Sequence, residues 1–254
     1  MATTYMTLVN LALGRLNETL LTSASFSSPV GPQLAMQTAV NAAISDICRR
    51  YQLWPFNYGK QTFTTQASTA TTSGTGAIYN EYTPPATVTS IKWNTFGIQR
   101  DDTAIPGIVA STLAPIDYNN WATRLRSLDL QMSVGQFSTP KYVIKGDDGN
   151  IILSPPPDRV YTVYYDAWSD PAALVNYSDV SVIPDKYNYV IIDGAMYYGY
   201  DFRSDQAAQD RAKSKFDAGV GEMLRELVKP ATGFQSTQIV NNQTYNSIPS
   251  RFSL

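Results

Sequence analysis

Apolar residues near the N-terminus recur at the spacing of a helix. We predict a helix from about Thr4, whose side chain can cap the first turn, to Leu16. Six apolar residues would share one face of it: Tyr5, Leu8, Val9, Ala12, Leu13 and Leu16. A polar loop follows, so this helix is expected to pack its single apolar face against another element.

A second amphipathic pattern begins at Pro32, whose fixed φ suits a first helical turn. We expect this helix to continue as far as Trp54, where Pro55 disfavours further helical geometry. Its apolar positions are Met36, Val40, Ala43, Ile44, Ile47, Tyr51 and Trp54. Several aromatic residues lie at the C-terminal end of this helix. We interpret Tyr51, Trp54, Pro55 and Phe56 as a wedge that joins two subdomains. A platform that stacks on a ligand is the alternative.

The pattern then changes to short β-branched or aromatic runs divided by Gly, Pro and Asn, which is typical of an all-β module. The clearest strands are QTFTTQ, ATVTSIKW, PKYVIK, NIILSP and RVYTVYYDAW. The Gly-Asp-Asp-Gly-Asn cluster at 146–150 predicts a hairpin between two of them. Residues 115–127 predict a short helix or an ordered loop, with Trp121 and Leu125 turned inward.

Helical periodicity returns after Pro184, and this helix is apolar on most sides, as a central helix would be. Ser204 and Asp205 predict a break and a new N-terminal cap, followed by a last helix with one charged side. We expect an α+β fold: an antiparallel helical bundle from both chain ends, residues 1–57 and 184–229. Residues 58–183 would form an inserted, sandwich-like or barrel-like β-rich domain.

Residues 230–254, called here the C-terminal arm, show no convincing period and almost no charge. Six apolar residues are spread through it: Phe234, Ile239, Val240, Tyr245, Ile248 and Phe252. A merely solvated tail would not need them. We therefore predict an extended arm that becomes ordered on a partner, with a frayed terminus as the alternative.

Composition narrows the possible functions. The chain has 43% hydrophobic residues, enough for a sizeable core, and 19 Lys+Arg against 21 Asp+Glu. No segment concentrates basic residues as a phosphate-binding face would, so nucleic acid is not predicted as a tight ligand. No apolar run approaches the ~20 residues that cross a bilayer. The first residues lack a basic leader, so we expect neither a secretion signal nor a membrane span.

Catalytic chemistry has few candidates, because the chain contains one cysteine, Cys48, and no histidine. Histidine-dependent nucleophile pairs and His-ligated or Cys-rich metal sites are excluded. Cys48 lies on the edge of an apolar stripe and is expected to be inert. The adjacent acids at 101–102 and 147–148 fit turns better than shared acid–base work. We predict no enzyme activity, no cofactor and no metal.

Four segments in order resemble one protein family. They are the helix end LALGRLNE, the helix VNAAISDICRRYQLWPFN, the strand and proline segment YVIKGDDGNIILSPPPDRVYTVYY, and VIPDKYNYVIIDGAMYYGYDF before a charged last helix. The chain is similar over roughly residues 5–228 to the head-to-tail adaptor proteins of short-tailed bacteriophages, also called tail tubular protein A or gatekeeper proteins.

This resemblance implies a structural virion protein, with host cytoplasm as its location during assembly. Such proteins form a ring, usually of twelve copies, that docks on the portal protein, presents a platform to the tail nozzle and extends the DNA channel. DNA would pass without specific binding, and the arm would contact the portal or a neighbouring subunit. The alternative is a β-rich tail or baseplate component, whose 17 tyrosines would bind a host receptor or glycan.

Overall fold

The fold contains six helices and two four-stranded sheets within residues 3–69, 76–100, 110–130 and 137–228, which the computed structural model describes. The helices are α1 (Tyr5–Arg15), α2 (Pro32–Arg50), α3 (Tyr118–Arg124), α4 (Arg126–Asp129), α5 (Asn188–Phe202) and α6 (Gln206–Leu227). The strands are β1 (Tyr58–Thr64), β2 (Glu81–Tyr82), β3 (Val88–Arg100), β4 (Ala110–Thr112), β5 (Ala114–Ile116), β6 (Tyr142–Lys145), β7 (Ile151–Ser154) and β8 (Tyr161–Ser169). This mixture agrees with the predicted α+β class.

The predicted starts of α1, α2 and α6 are confirmed, and α5 begins at Asn188 after a 3-10 turn that follows Pro184, but one predicted end is wrong. The side chain of Thr4 accepts a hydrogen bond from the Thr7 amide and caps α1, and Asp205 caps α6 in the same way. Helix α2 stops at Arg50 instead of reaching Trp54, because the backbone is already extended at Tyr51. Tyr51 and Trp54 match the apolar spacing of a longer helix because their side chains pack against the same core as α2, although they lie in the turn beyond it.

One hydrophobic core joins the four long helices. It combines apolar residues of α1, α2, α5 and α6 with Trp54 and Ile183 from the connecting segments. Helix α5 is central to it, as its sequence predicts, since seven of its residues are buried. Helix α6 runs antiparallel to α5, as two hydrogen bonds show. The Tyr187 hydroxyl at the start of α5 donates to Glu226 in the last turn of α6. Gln209 in the first turn of α6 donates to Asp201 near the end of α5.

The two sheets pack on a second hydrophobic core. Their strand orders are β1-β8-β3-β4 and β2-β7-β6-β5. Phe96 of β3 stacks on Tyr165 of β8, with ring centres 4.8 Å apart, and Val143 and Leu153 of the other sheet are buried in the same cluster. Strands β6 and β7 form the predicted antiparallel hairpin, whose turn uses Gly149 at φ +85°.

The outer side of the second sheet is covered by the predicted short helix. Trp121 of α3 is buried against Ile144 and Ile152, and Leu125 is half-buried beside them. The Trp121 indole N–H donates to the buried carboxylate of Asp129, 2.7 Å away, so burial of the acid is matched by a hydrogen bond. One face of β7 thus lies on the second core and the other lies under α3. All four residues of β7 are therefore buried, whichever face they point to.

The two largest hydrophobic cores among the described residues, one helical and one between the sheets, agree with a division of the chain into two domains. The predicted boundaries, with residues 1–57 and 184–229 as one domain and 58–183 as another, stay a prediction. So does the antiparallel four-helix topology as a whole. The C-terminal arm lies outside the described residues.

Candidate interaction surfaces

One of the aromatic residues at 51–56, Trp54, caps the end of α2 with its side chain. Trp54 is fully buried, and its indole N–H donates to the Ile47 carbonyl at 2.8 Å. That carbonyl lies in the last turn of α2, where backbone acceptors lack helical partners. Phe56 stacks on Trp54 at 5.3 Å, and Tyr51 meets it edge-on at 5.4 Å. A ring buried in this way offers no free face on which a ligand could stack.

The contacts of this cluster bear on its predicted role. Trp54 belongs to the helical core, and Tyr51 and Phe56 pack against that core. Pro55 opens the 3-10 turn that leads into β1, so the cluster lies between α2 and the first strand along the chain. The role of Tyr51, Trp54, Pro55 and Phe56 as the junction of two subdomains stays a prediction.

An apolar groove is open on the helical side of the molecule. It has a volume of about 470 Å³ and lies between the first half of α2 and the end of α5. Its lining consists of Gly31, Leu34, Ala35, Thr38, Ala39, Ala42, Tyr198 and Phe202. Leu34 is 52% exposed and Phe202 is 59% exposed. Grouped apolar exposure of this kind is typical of protein contact surfaces.

A polar and aromatic surface covers the outer face of the first sheet. Tyr58 and Trp168 lie on neighbouring strands with ring centres 4.9 Å apart, and the Tyr58 hydroxyl donates to Asp166 at 2.7 Å. This hydrogen bond to a carboxylate raises the pKa of Tyr58. The ammonium of Lys92 lies 5.7 Å from the Tyr58 ring, and that of Lys60 lies 5.3 Å from the ring of Tyr164.

Two residues considered for chemistry, Asp148 and Cys48, have structural roles. The Asp148 carboxylate accepts from the Asn150 amide at 3.1 Å and so stabilises the hairpin turn. Cys48 is buried, and burial raises the pKa of its thiol, so little reactive thiolate forms. The acids at 101–102 lie outside the described ranges.

Within the described ranges, no group of three or more His, Cys, Asp or Glu residues is placed to bind a metal. Among the helices the structure describes, none combines the length and apolar character that a membrane span requires.

The predicted anchor residues of the arm are not among the described residues. Phe234, Ile239, Val240, Tyr245, Ile248 and Phe252 all lie outside the described part of the chain. Sequence reasoning also missed the apolar groove. The signal was present, because Leu34, Thr38 and Ala42 recur at steps of four beside the core stripe of α2.

Among the described residues, the fold presents two candidate contact faces, an apolar one on the helices and a polar, aromatic one on the first sheet. A family model, the SU10 adaptor protein, matches residues 3–247. The chain belongs to this family, which agrees with its resemblance to phage head-to-tail adaptors. A search of curated proteins found no match. Family membership makes this a structural adaptor of a bacteriophage virion, a class that is typically not enzymatic.

Proposed function

We propose that the protein forms a ring of twelve copies that acts as a head-to-tail adaptor. The ring joins the portal protein to the tail nozzle and extends the DNA channel. The observation that carries this proposal is the family match over nearly the whole chain. It covers both the helical and the β-rich parts, so the proposal concerns the protein as a unit.

A closed ring needs two unlike contact surfaces on each subunit, since one face meets a different face of the next copy. The helical groove and the outer sheet face are two such surfaces, one apolar and one polar and aromatic. The net charge of −2 suits a channel through which DNA slides without being held. The C-terminal arm would contact the portal or a neighbouring subunit.

Sedimentation of the purified full-length protein with its cognate portal tests this proposal. We expect the two to sediment together as one large particle, and the adaptor alone to sediment more slowly. The same protein at the same concentration with an unrelated portal is the matched control. An adaptor that stays monomeric and does not sediment with its cognate portal would contradict the proposal.

A second candidate is a β-rich tail or baseplate component that binds a host receptor or glycan. The observation that favours it is the outer sheet face, where Tyr58, Tyr164 and Trp168 stand among lysines. Aromatic rings with polar tips suit sugar binding as well as protein contact. Binding to host cells without binding to the portal would select this candidate over the adaptor.

A further inference from the structure

Strand β1 presents an unpaired edge to its surroundings. It is the outermost strand of its sheet and pairs with β8 on one side only. The Thr65 amide donates to the Tyr161 carbonyl at 2.8 Å. Backbone direction alternates along an antiparallel pair. Residues 59, 61 and 63 therefore point their backbone groups at β8, whereas Lys60, Thr62 and Thr64 point theirs away from it.

This edge is open in the described part of the chain. There the backbone groups of Lys60, Thr62 and Thr64 have no hydrogen-bond partner outside their own strand pair, and their side chains are exposed. Strands β2, β4 and β5 at the other sheet edges have only two or three residues, whereas β1 has seven. Proteins usually shorten or cover such edges, because a long one is a template for another strand.

The core beside this edge is incompletely covered. Phe63 of β1 faces the space between the sheets and is only half-buried. Its ring lies 4.9 Å from that of Tyr82 and 6.2 Å from that of Tyr165. A strand added to β1 would therefore gain backbone hydrogen bonds and would also cover an apolar ring.

We propose that residues 236–242 of the C-terminal arm of a neighbouring copy add to β1 as an extra strand. This inference rests on the proposed ring, because an arm that pairs with the next copy makes a contact between unlike faces. It gives the ring a defined contact: the arm of one subunit completes the sheet of the next.

The arm has the composition that such a strand needs. The segment from 231 to 250 carries no charged residue, and Ile239 and Val240 are β-branched. In an extended strand these two side chains point to opposite faces, so one of them would cover Phe63. Seven residues match the length of β1. The seven residues from 229 to 235, which precede this segment, can span about 23 Å when extended.

Hydrogen exchange of the full-length protein tests this contact, measured at single amides by mass spectrometry. At a concentration where the protein assembles, we expect the amides of 60, 62 and 64, and every second amide within 236–242, to exchange roughly tenfold or more slowly than in the dilute subunit. Thr62→Pro should abolish the protection of 236–242, because proline blocks an added strand. The Thr62 amide points away from β8, so this change removes no existing sheet bond. Thr62→Val keeps the amide and should keep the protection.

Each other outcome overturns the inference in a distinct way. A particle that forms with the portal while these amides exchange freely would overturn it and leave the proposed function standing. Equal protection in the dilute subunit would mean that each chain covers its own edge. A protein that neither assembles nor protects these amides, with or without the portal, would overturn both proposals. If Thr62→Pro fails to fold, the exchange of the unaltered protein still decides.

Discussion

Gly194 of α5 lies directly against the ring of Phe216 of α6. A Cβ atom at Gly194 would stand 2.8 Å from Phe216 Cε2 and 2.8 Å from the Cβ of Ala43 in α2. Atoms in a packed core do not approach this closely, so only glycine fits between the three helices. The glycine that weakens α5 as an isolated helix thus permits the close packing of the helical core.

Gly194→Ala should lower the free energy of unfolding by about 1–3 kcal/mol, because the added methyl group overpacks the core. This loss would exceed the ~1 kcal/mol by which alanine favours a helix over glycine. Gly221→Ala in α6 is the matched control, since no atom outside its own helix lies within 4 Å of the added Cβ. We expect the control to be neutral or stabilising in urea denaturation. Equal effects of the two substitutions would contradict the packing argument.

Trp54→Phe should cost about 1–3 kcal/mol, because a buried carbonyl at the end of α2 loses its hydrogen bond from the indole. Trp168→Phe, on the half-exposed outer sheet face, is the control and should cost less. Thermal unfolding of both variants measures the difference. If the two substitutions cost the same, the capping role assigned to Trp54 would be wrong.

The stability of the protein should fall as the pH rises from 10 to 12, with Tyr5 as one contributor. Burial, and secondarily the charge of Asp179, raises the pKa of Tyr5 to about 12. The folded state therefore holds the phenol proton more tightly than the unfolded state, whose tyrosines titrate near 10. The stability due to this difference is fully present below pH 10 and is lost as the pH passes through the folded pKa.

Tyr5→Phe isolates this contribution. The variant should be less stable at pH 7, because it loses the hydrogen bonds that Tyr5 makes with the Gln37 carbonyl and with Asn41. Its stability should then decline less steeply than that of the unaltered protein between pH 10 and 12, so the two curves converge. Urea denaturation at several pH values measures both slopes. Parallel curves would show that Tyr5 does not titrate as expected.

Removal of residues 231–254 should leave the fold intact and weaken docking to the portal by at least roughly tenfold, or ~1.4 kcal/mol. The control is a full-length chain in which the six apolar arm residues are replaced by serine, which keeps the length of the arm. Circular dichroism measures the fold, and sedimentation with the portal measures docking. Global unfolding of the truncated chain would show that the arm is part of the core.

The local structure was largely predictable because it depends on residues close together in sequence. The capping position of Thr4, the proline at the start of α2 and the Gly-Asp-Asp-Gly-Asn turn each act within a few residues. The family resemblance drew on the same segments, and the family match confirms it. The end of α2 was not predictable from spacing, because a side chain can reach the core from a helix or from a turn beyond it.

The sequence by itself determined the helices, the hairpin and the absence of histidine and disulfide chemistry, since composition and short-range pattern are sufficient for these. The tertiary structure decided which strands form sheet edges, which glycine admits a neighbouring ring and where an indole caps a helix. Those features depend on residues far apart in the chain, such as Thr65 and Tyr161 or Gly194 and Ala43. Only folding brings such residues together, and a short-range sequence pattern does not predict the distance between them.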